Sequence, residues 1–251
     1  MGFARDTRIV FDREFAPVPR QPVGLAFAML QPLLFLLLFG SLLAGSGAGE
    51  GGAAAWQWFV PGVLLMMCLF GPMQAGYSLL MEAIGGSLER LLVTPLNRAA
   101  LLTGRVLKEF VILLVQAALL VVVALPMGFR PHLAGVFAGL ALLVVLGVGL
   151  GSLSFVLAIA SKPSGTIFYL VTQTVLFPLV LLSGVLLPLG SAPAWMRAAA
   201  AVNPLRYVVD AERALFAGRF GAAAVPYGLV AAGVLAAVGL LAGVRAMRRA
   251  V

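Results

Sequence analysis

Apolar and polar positions alternate along this chain in whole segments rather than residue by residue. Six apolar runs reach the length of about 20 residues that a helix needs to cross a bilayer: Pro22 to Leu43, Trp58 to Leu80, Leu107 to Leu125, Leu133 to Ala160, Ile167 to Leu187 and Val225 to Val244. An even number of crossings returns the chain to the side from which it started. Ahead of the first run, Phe3, Thr7, Val10, Phe11, Phe15 and Val18 recur at helical spacing, with Arg5, Arg8, Asp12 and Arg13 opposite them. That pattern predicts an amphipathic helix lying in a membrane interface, ended early by Pro17 and Pro19, against the plainer reading of an irregular tail. Gly40 to Ala55, rich in Gly, Ala and Ser, reads as a short flexible loop. The fourth run carries Gly135, Gly139, Gly147, Gly149 and Gly151, whose four-residue steps let helices approach closely, either in packing within the chain or at a dimer seam.

The polar breaks fix an orientation. The N-terminal segment, the connector between the second and third runs, the next break on the same side and the tail together hold twelve of the 17 basic residues; the other side holds Arg130, Arg197, Arg206, Arg213 and Arg219. Lys and Arg collect on cytoplasmic loops, so both termini are expected in the cytoplasm. The first run is longer than the roughly 7 to 15 residues of a cleaved signal peptide's apolar core. The connector, SLERLLVTPLNRAALLTGRVLKE (residues 87–109), is amphipathic: Leu88, Leu91, Leu92, Pro95, Leu96, Ala99, Leu102 and Val106 share one helical side, with Glu89, Arg90, Asn97, Arg98 and Arg105 elsewhere. Pro95 interrupts it, and Thr94 then caps a second short helix with Pro95 at its first position. A helix, a kink and a second helix would project from the membrane as a rigid protrusion, against the plainer reading of a solvated basic loop.

Composition narrows the chemistry. At 62% hydrophobic and 10% charged, with a mean hydropathy of +1.09, the chain is an integral membrane protein, since soluble domains are about 25% charged. The net charge of +8 is scattered between apolar blocks and forms no nucleic-acid stripe. Cys68 lies in an apolar run and reads as a packed thiol, and no set of metal ligands is present in the sequence. The middles of the six runs lack ionisable residues, which a proton- or ion-coupled carrier needs. Their polar groups are neutral: Gln74, Gln116 and Gln173 are candidates for lining a path, with Gln31, Thr172 and Thr174 beside them, or else they hydrogen-bond between helices. A phosphate-cradling Gly-rich loop with its lysine is missing, and neither His132 at a run boundary nor Ser183-Gly184 has catalytic partners. The chain is therefore either passive or driven by a partner.

The connector resembles the cytoplasmic segment of type-2 ABC-transporter permeases, in which an acidic residue, a Leu pair, Thr-Pro and a downstream Arg recur; Glu89, Leu91, Leu92, Thr94, Pro95, Arg98 and Arg105 match. A second match is LLSGVLLPLGSAPAWMRAAAAVNPLRYVVDAERALF (residues 181–216), through Ser183, Gly184, Pro188, Pro193, Trp195, Asn203, Pro204, Tyr207, Asp210 and Arg213. Within the family, the chain most resembles the drug-resistance exporters of the daunorubicin type. The resemblance implies one permease domain over 1–251: an all-α integral membrane protein with six transmembrane helices, an N-terminal interfacial helix, a cytoplasmic coupling helix and an outer re-entrant element. It implies that Glu89, Leu91, Leu92, Thr94, Pro95 and Arg98 couple to a separate cytoplasmic ATPase that binds ATP and Mg²⁺, this chain holding no cofactor. It implies an outer element built on Trp195, Asn203, Pro204, Tyr207, Asp210 and Arg213, whose arginines pair with Asp210 and Glu212. A second permease subunit, identical or not, completes the pathway in the lipid of the cell membrane, exporting an apolar or amphipathic cargo such as a drug. A passive channel, or an exporter of polysaccharide or lipid, is the rival reading.

Overall fold

The protein is described here by a computed structural model covering residues 2–20, 22–45, 53–86, 98–186 and 188–249. No strand occurs among the described residues. α1 spans Phe3–Phe15, α2 Pro22–Gly45, α3 Ala53–Ile84, α4 Arg98–Ala124 and α5 Leu133–Ala160. α6, Thr166–Leu182, contains a π-helical stretch at Thr172–Leu176. α7 covers Ala194–Val202, α8 Pro204–Phe216 and α9 Ala224–Arg249.

All six apolar runs are helical, but they are unequal. Residues 54–84, 103–127, 133–160 and 224–246 form four helices long and apolar enough to cross a membrane, whereas Ala26–Leu42 and Thr166–Leu182 are shorter apolar helices. The fifth run was expected to extend to Leu187, which lies outside the described residues. Its helix stops at Leu182, where the Ser183 hydroxyl donates back to the Val180 carbonyl at 2.6 Å and Gly184 turns the chain at φ 76°.

α3 is the axis of the bundle. Two-thirds of its apolar window (67%) is buried, against 17% for α9, because α2, α4, α5 and α8 all pack on it. Phe59, Leu64, Leu65 and Leu69 are fully enclosed and meet Leu142, Leu143 and Leu146 of α5. The Cys68 thiol is buried there and donates to the Leu143 carbonyl at 3.2 Å. Pro61 and Pro72 lie inside α3, where neighbouring helices compensate for the missing donors.

Glycine sets the closest approaches. A Cβ on Gly149 of α5 would lie 2.6 Å from the Leu235 carbonyl oxygen of α9, and one on Gly239 of α9 would collide with the Gly149 carbonyl. Gly135 and Gly139 make the same allowance for Leu215 and Phe216 of α8. All five glycines of the fourth run are buried within this chain, so they serve internal packing. The loop expected over Gly40 to Ala55 is shorter than the composition suggests: α2 continues to Gly45 and α3 begins at Ala53, with Gly40 giving way to the Trp56 ring. α1 folds against α4, Val10 filling the space that Gly104 leaves. One end of the bundle thus carries α1 and the root of the connector, and the other carries α7 and α8.

Candidate functional site

Glu89, Leu91, Leu92, Thr94 and Pro95 lie outside the described residues, and Arg98 opens α4. What is described is the root from which the connector springs. Residues 98–106 are not a separate short helix but the first turns of α4. Ala99, Ala100, Leu101 and Leu102 are strong helix formers, and the single Gly104 before the apolar run does not interrupt the helix. Arg105, 3% exposed, ties three elements together: its Nη2 reaches Glu82 of α3 at 2.5 Å and Glu14 of α1 at 3.4 Å. Lys108 and Glu109 pair at 2.8 Å one turn further on.

At the opposite end, the sequence between α6 and α9 folds into two helices joined at Asn203. Its Oδ1 accepts from the Leu205 amide at 3.0 Å, capping α8, and its Nδ2 donates to the Leu179 carbonyl of α6 at 2.7 Å. Pro204 occupies the first helical position, where its missing N–H is harmless. Arg213 is the main rivet. Its Nε donates to the Trp58 carbonyl at 3.0 Å and its Nη2 to the Gly184 carbonyl at 2.8 Å, and the guanidinium lies 3.9 Å from the centroid of the Trp58 ring. Asp210 pairs with Arg213 at 3.4 Å and with Arg206 at 3.9 Å. Burial draws Arg213 down to about 10, Asp210 working the other way, so it stays charged at neutral pH. Tyr207 donates to the Ala201 carbonyl at 2.7 Å. Trp195 stands apart from this cluster, exposed on α7.

Glu212 departs from expectation. Rather than pairing with a neighbouring arginine, it turns into the bundle, fully buried, with neither carboxyl oxygen hydrogen-bonded. A Cβ on Gly139 would lie 2.6 Å from its Oε2, so that glycine makes the room for it. Burial pushes Glu212 up to about 8; the outer element places a neutral acid inside the packed bundle.

A cavity of about 570 Å³ opens between α1, α2, α3 and α4 on the connector side. Its walls include Phe35, Met66, Met67 and Phe70, its mouth holds Glu14, Lys108 and Glu109, and Gln31, Gln74 and Gln116 also line it. Two of the expected path-lining glutamines therefore meet here, joined by Gln31. Gln173 is exposed on α6 and does not line this cavity.

The sequence pattern of the ABC-2 type transporters matches residues 5–217. This chain belongs to that family. The permease is 31% identical to the daunorubicin resistance ABC transporter permease protein DrrB1 of Streptomyces coeruleorubidus, over 80% of this chain and 71% of that one. Against ycf38 of Cyanophora paradoxa, which bears a transport-permease name, identity is 29%, over 85% and 75% of the two chains. Against DrrC of Mycobacterium tuberculosis, which bears a doxorubicin-resistance permease name, it is 24%, over 86% and 78%. As an ABC-2 permease, the chain is a membrane subunit of an ABC transporter, a class that works with an ATPase partner. Both stretches that carried the resemblance fall inside the matched residues.

Proposed function

We propose that this permease is the transmembrane subunit of an ATP-driven exporter that moves an apolar or amphipathic drug out of the cytoplasm. α2 and α6 complete six crossings: α6, about 25 Å long at 1.5 Å per residue, needs only modest bilayer thinning to cross. Both termini face the cytoplasm and α1 lies in the inner interface. The region of α7 and α8 is the outer re-entrant element, packed by Asn203, Asp210 and Arg213. Two permease subunits, identical or not, form the pathway in the cell membrane. A separate ATPase binds ATP and Mg²⁺ and presses on the connector through Glu89, Leu91, Leu92, Thr94, Pro95 and Arg98. The names of the relatives that mention daunorubicin and doxorubicin favour a drug over a polysaccharide.

The observation that carries this reading is the Arg105 clamp. A push on the connector acts on the ends of α3 and α4, and α1 is held to the same point through Glu14. Three elements therefore move as one body, which is what rigid-body switching between two facings requires. Work reaches the path only if the ATPase grips the connector differently in its two nucleotide states.

Leu92→Asp tests the coupling. In inside-out vesicles holding the permease and its ATPase, the variant should insert normally and leave ATP turnover running while ATP-dependent daunorubicin uptake disappears. Uptake at the wild-type rate would refute the coupling role. A passive channel would instead carry daunorubicin without nucleotide and without the ATPase.

A further inference from the structure

The three glutamines of the cavity stand at nearly one depth. About 12 Å of helix separates Gln116 from Lys108 and Gln74 from Glu82, and about 14 Å separates Gln31 from Pro22, where α2 begins, at 1.5 Å per residue. That height is near the middle of a hydrocarbon layer about 30 Å thick. Among the described residues none of the three amides has a hydrogen-bond partner. A polar group at such depth persists only where water or a ligand meets it. Between these amides and the mouth, Phe35, Met66, Met67 and Phe70 form an adaptable apolar wall.

The mouth has its own preference. Lys108 and Glu109 neutralise one another at 2.8 Å. Arg105 is held most closely by Glu82, at 2.5 Å, and reaches Glu14 only at 3.4 Å. Glu14 is thus the least compensated charge lining the entrance, and it is negative. A lipid tail fits poorly here, because its methylenes would press against three unpaired amides. The volume is within the 300 to 1,000 Å³ range, approximately, of small-molecule sites.

We propose that this cavity is a binding site, complete within a single copy of the chain, for a singly cationic amphipathic small molecule that carries a hydrogen-bonding group at the end away from its charge. The cation sits at Glu14, the apolar body against the Met and Phe wall, and the far polar group among Gln31, Gln74 and Gln116. This deepens the export reading by naming where one subunit holds cargo and what that cargo presents, and as a drug-holding site it rests on that reading.

The test uses the full-length chain in nanodiscs of zwitterionic lipid, without ATPase or nucleotide. The probe is dansylcadaverine, fluorescent, with an amine at one end and an aromatic sulfonamide at the other; its uncharged N-acetyl derivative is the comparator. Gly71 lines the cavity, and a Cβ added there meets nothing within 4 Å. Gly71→Leu should therefore fill the space without lowering the unfolding temperature, and should weaken dansylcadaverine binding at least about tenfold. Glu14→Gln, which also loosens the tie of α1 to Arg105, should weaken the amine about tenfold more than the N-acetyl probe. Gln74→Leu and Gln116→Leu should weaken both probes. Undiminished dansylcadaverine binding by Gly71→Leu would overturn the proposal, as would equal losses of the two probes in Glu14→Gln. Co-purifying phospholipid that Gly71→Leu displaces while dansylcadaverine binding stays intact would assign the cavity to lipid and overturn it as well. Because binding is read without ATP, daunorubicin transport that survives Gly71→Leu would sink this site and leave the exporter reading standing.

Discussion

Replacing Arg213 with alanine removes the rivet between α8, the start of α3 and the turn after α6. Its two hydrogen bonds run from a charged donor to the Trp58 and Gly184 carbonyls at 3.0 and 2.8 Å, and each such bond contributes about 1.5 to 3 kcal/mol. The guanidinium over the Trp58 ring adds about 0.5 to 2 kcal/mol. The pair with Asp210, whose side chain is 44% exposed, adds at most about 1 kcal/mol and is left out of the expectation. Taking the lower bounds, Arg213→Ala should lose about 3 to 4 kcal/mol of stability. If these bonds behaved like average interhelical ones in membranes, about 0.6 kcal/mol each, the loss would stay under about 2 kcal/mol. Arg213→Lys keeps the charge but cannot fork to both carbonyls, so it should recover about half of the loss. The assay is unfolding of the detergent-purified chain followed by tryptophan fluorescence, with Trp58→Leu and the double variant to isolate the ring contribution. An Arg213→Ala loss below about 1 kcal/mol, matched by Arg213→Lys, would refute the rivet.

Glu212→Gln should alter the pH profile of stability. With the folded-state carboxyl near 8 against a usual 4.5, its favourable contribution is complete below about 4.5 and declines as pH rises through 8. The variant should match wild type at pH 5 and exceed it in unfolding temperature at pH 8; parallel profiles would show that Glu212 is not buried as described. Gly149→Ala should force α5 and α9 apart and lose about 1 to 3 kcal/mol, while Gly233→Ala on α9, which meets nothing within 4 Å, should be neutral or slightly stabilising in the same thermal assay. Arg105→Ala removes the tie between α1, α3 and α4 and should cost about 2 to 4 kcal/mol, read as faster tryptic cleavage at Arg8 and Arg13 as α1 detaches, with Arg105→Lys restoring part of the protection.

The apolar runs located the helices because nothing else in the chain competes for those segments, but they were poor guides to where helices end. Residues 98–106 looked like an independent piece because charge interrupts the apolar count there, whereas the backbone registers only that no Pro breaks the start of α4 and that Gly104 is carried inside it against Val10. The π stretch of α6 left no mark in the residue pattern; Thr172 bonds back to the Phe168 carbonyl at 2.7 Å, as any helical threonine does. Glu212 was legible in principle. Leu205, Val208, Val209, Leu215 and Phe216 form a helical stripe, and position 212 falls on it, while Arg206, Asp210 and Arg213 fall off it. The presence of arginine next door suggested a surface pair and masked that periodicity. Gln31, Gln74 and Gln116 were visible as neutral polar residues, but only the packing of α2, α3 and α4 brings them to one cavity, and the same packing leaves Gln173 out.

A π turn holds one more residue than an α turn of the same rise, and α6 has such a turn at Thr172–Leu176, upstream of the Leu179 and Gly184 carbonyls that Asn203 and Arg213 grip. Removing one residue there would restore ordinary pitch and leave the Leu179 and Gly184 oxygens in phase, whereas removing one from the regular turns beside it would swing them by about 100°, away from Asn203 and Arg213. The wide turn thereby lets α6 carry one surplus amino acid without shifting its seat for the far cap, and chains of this kind that lack that residue should seat their caps at the same angle.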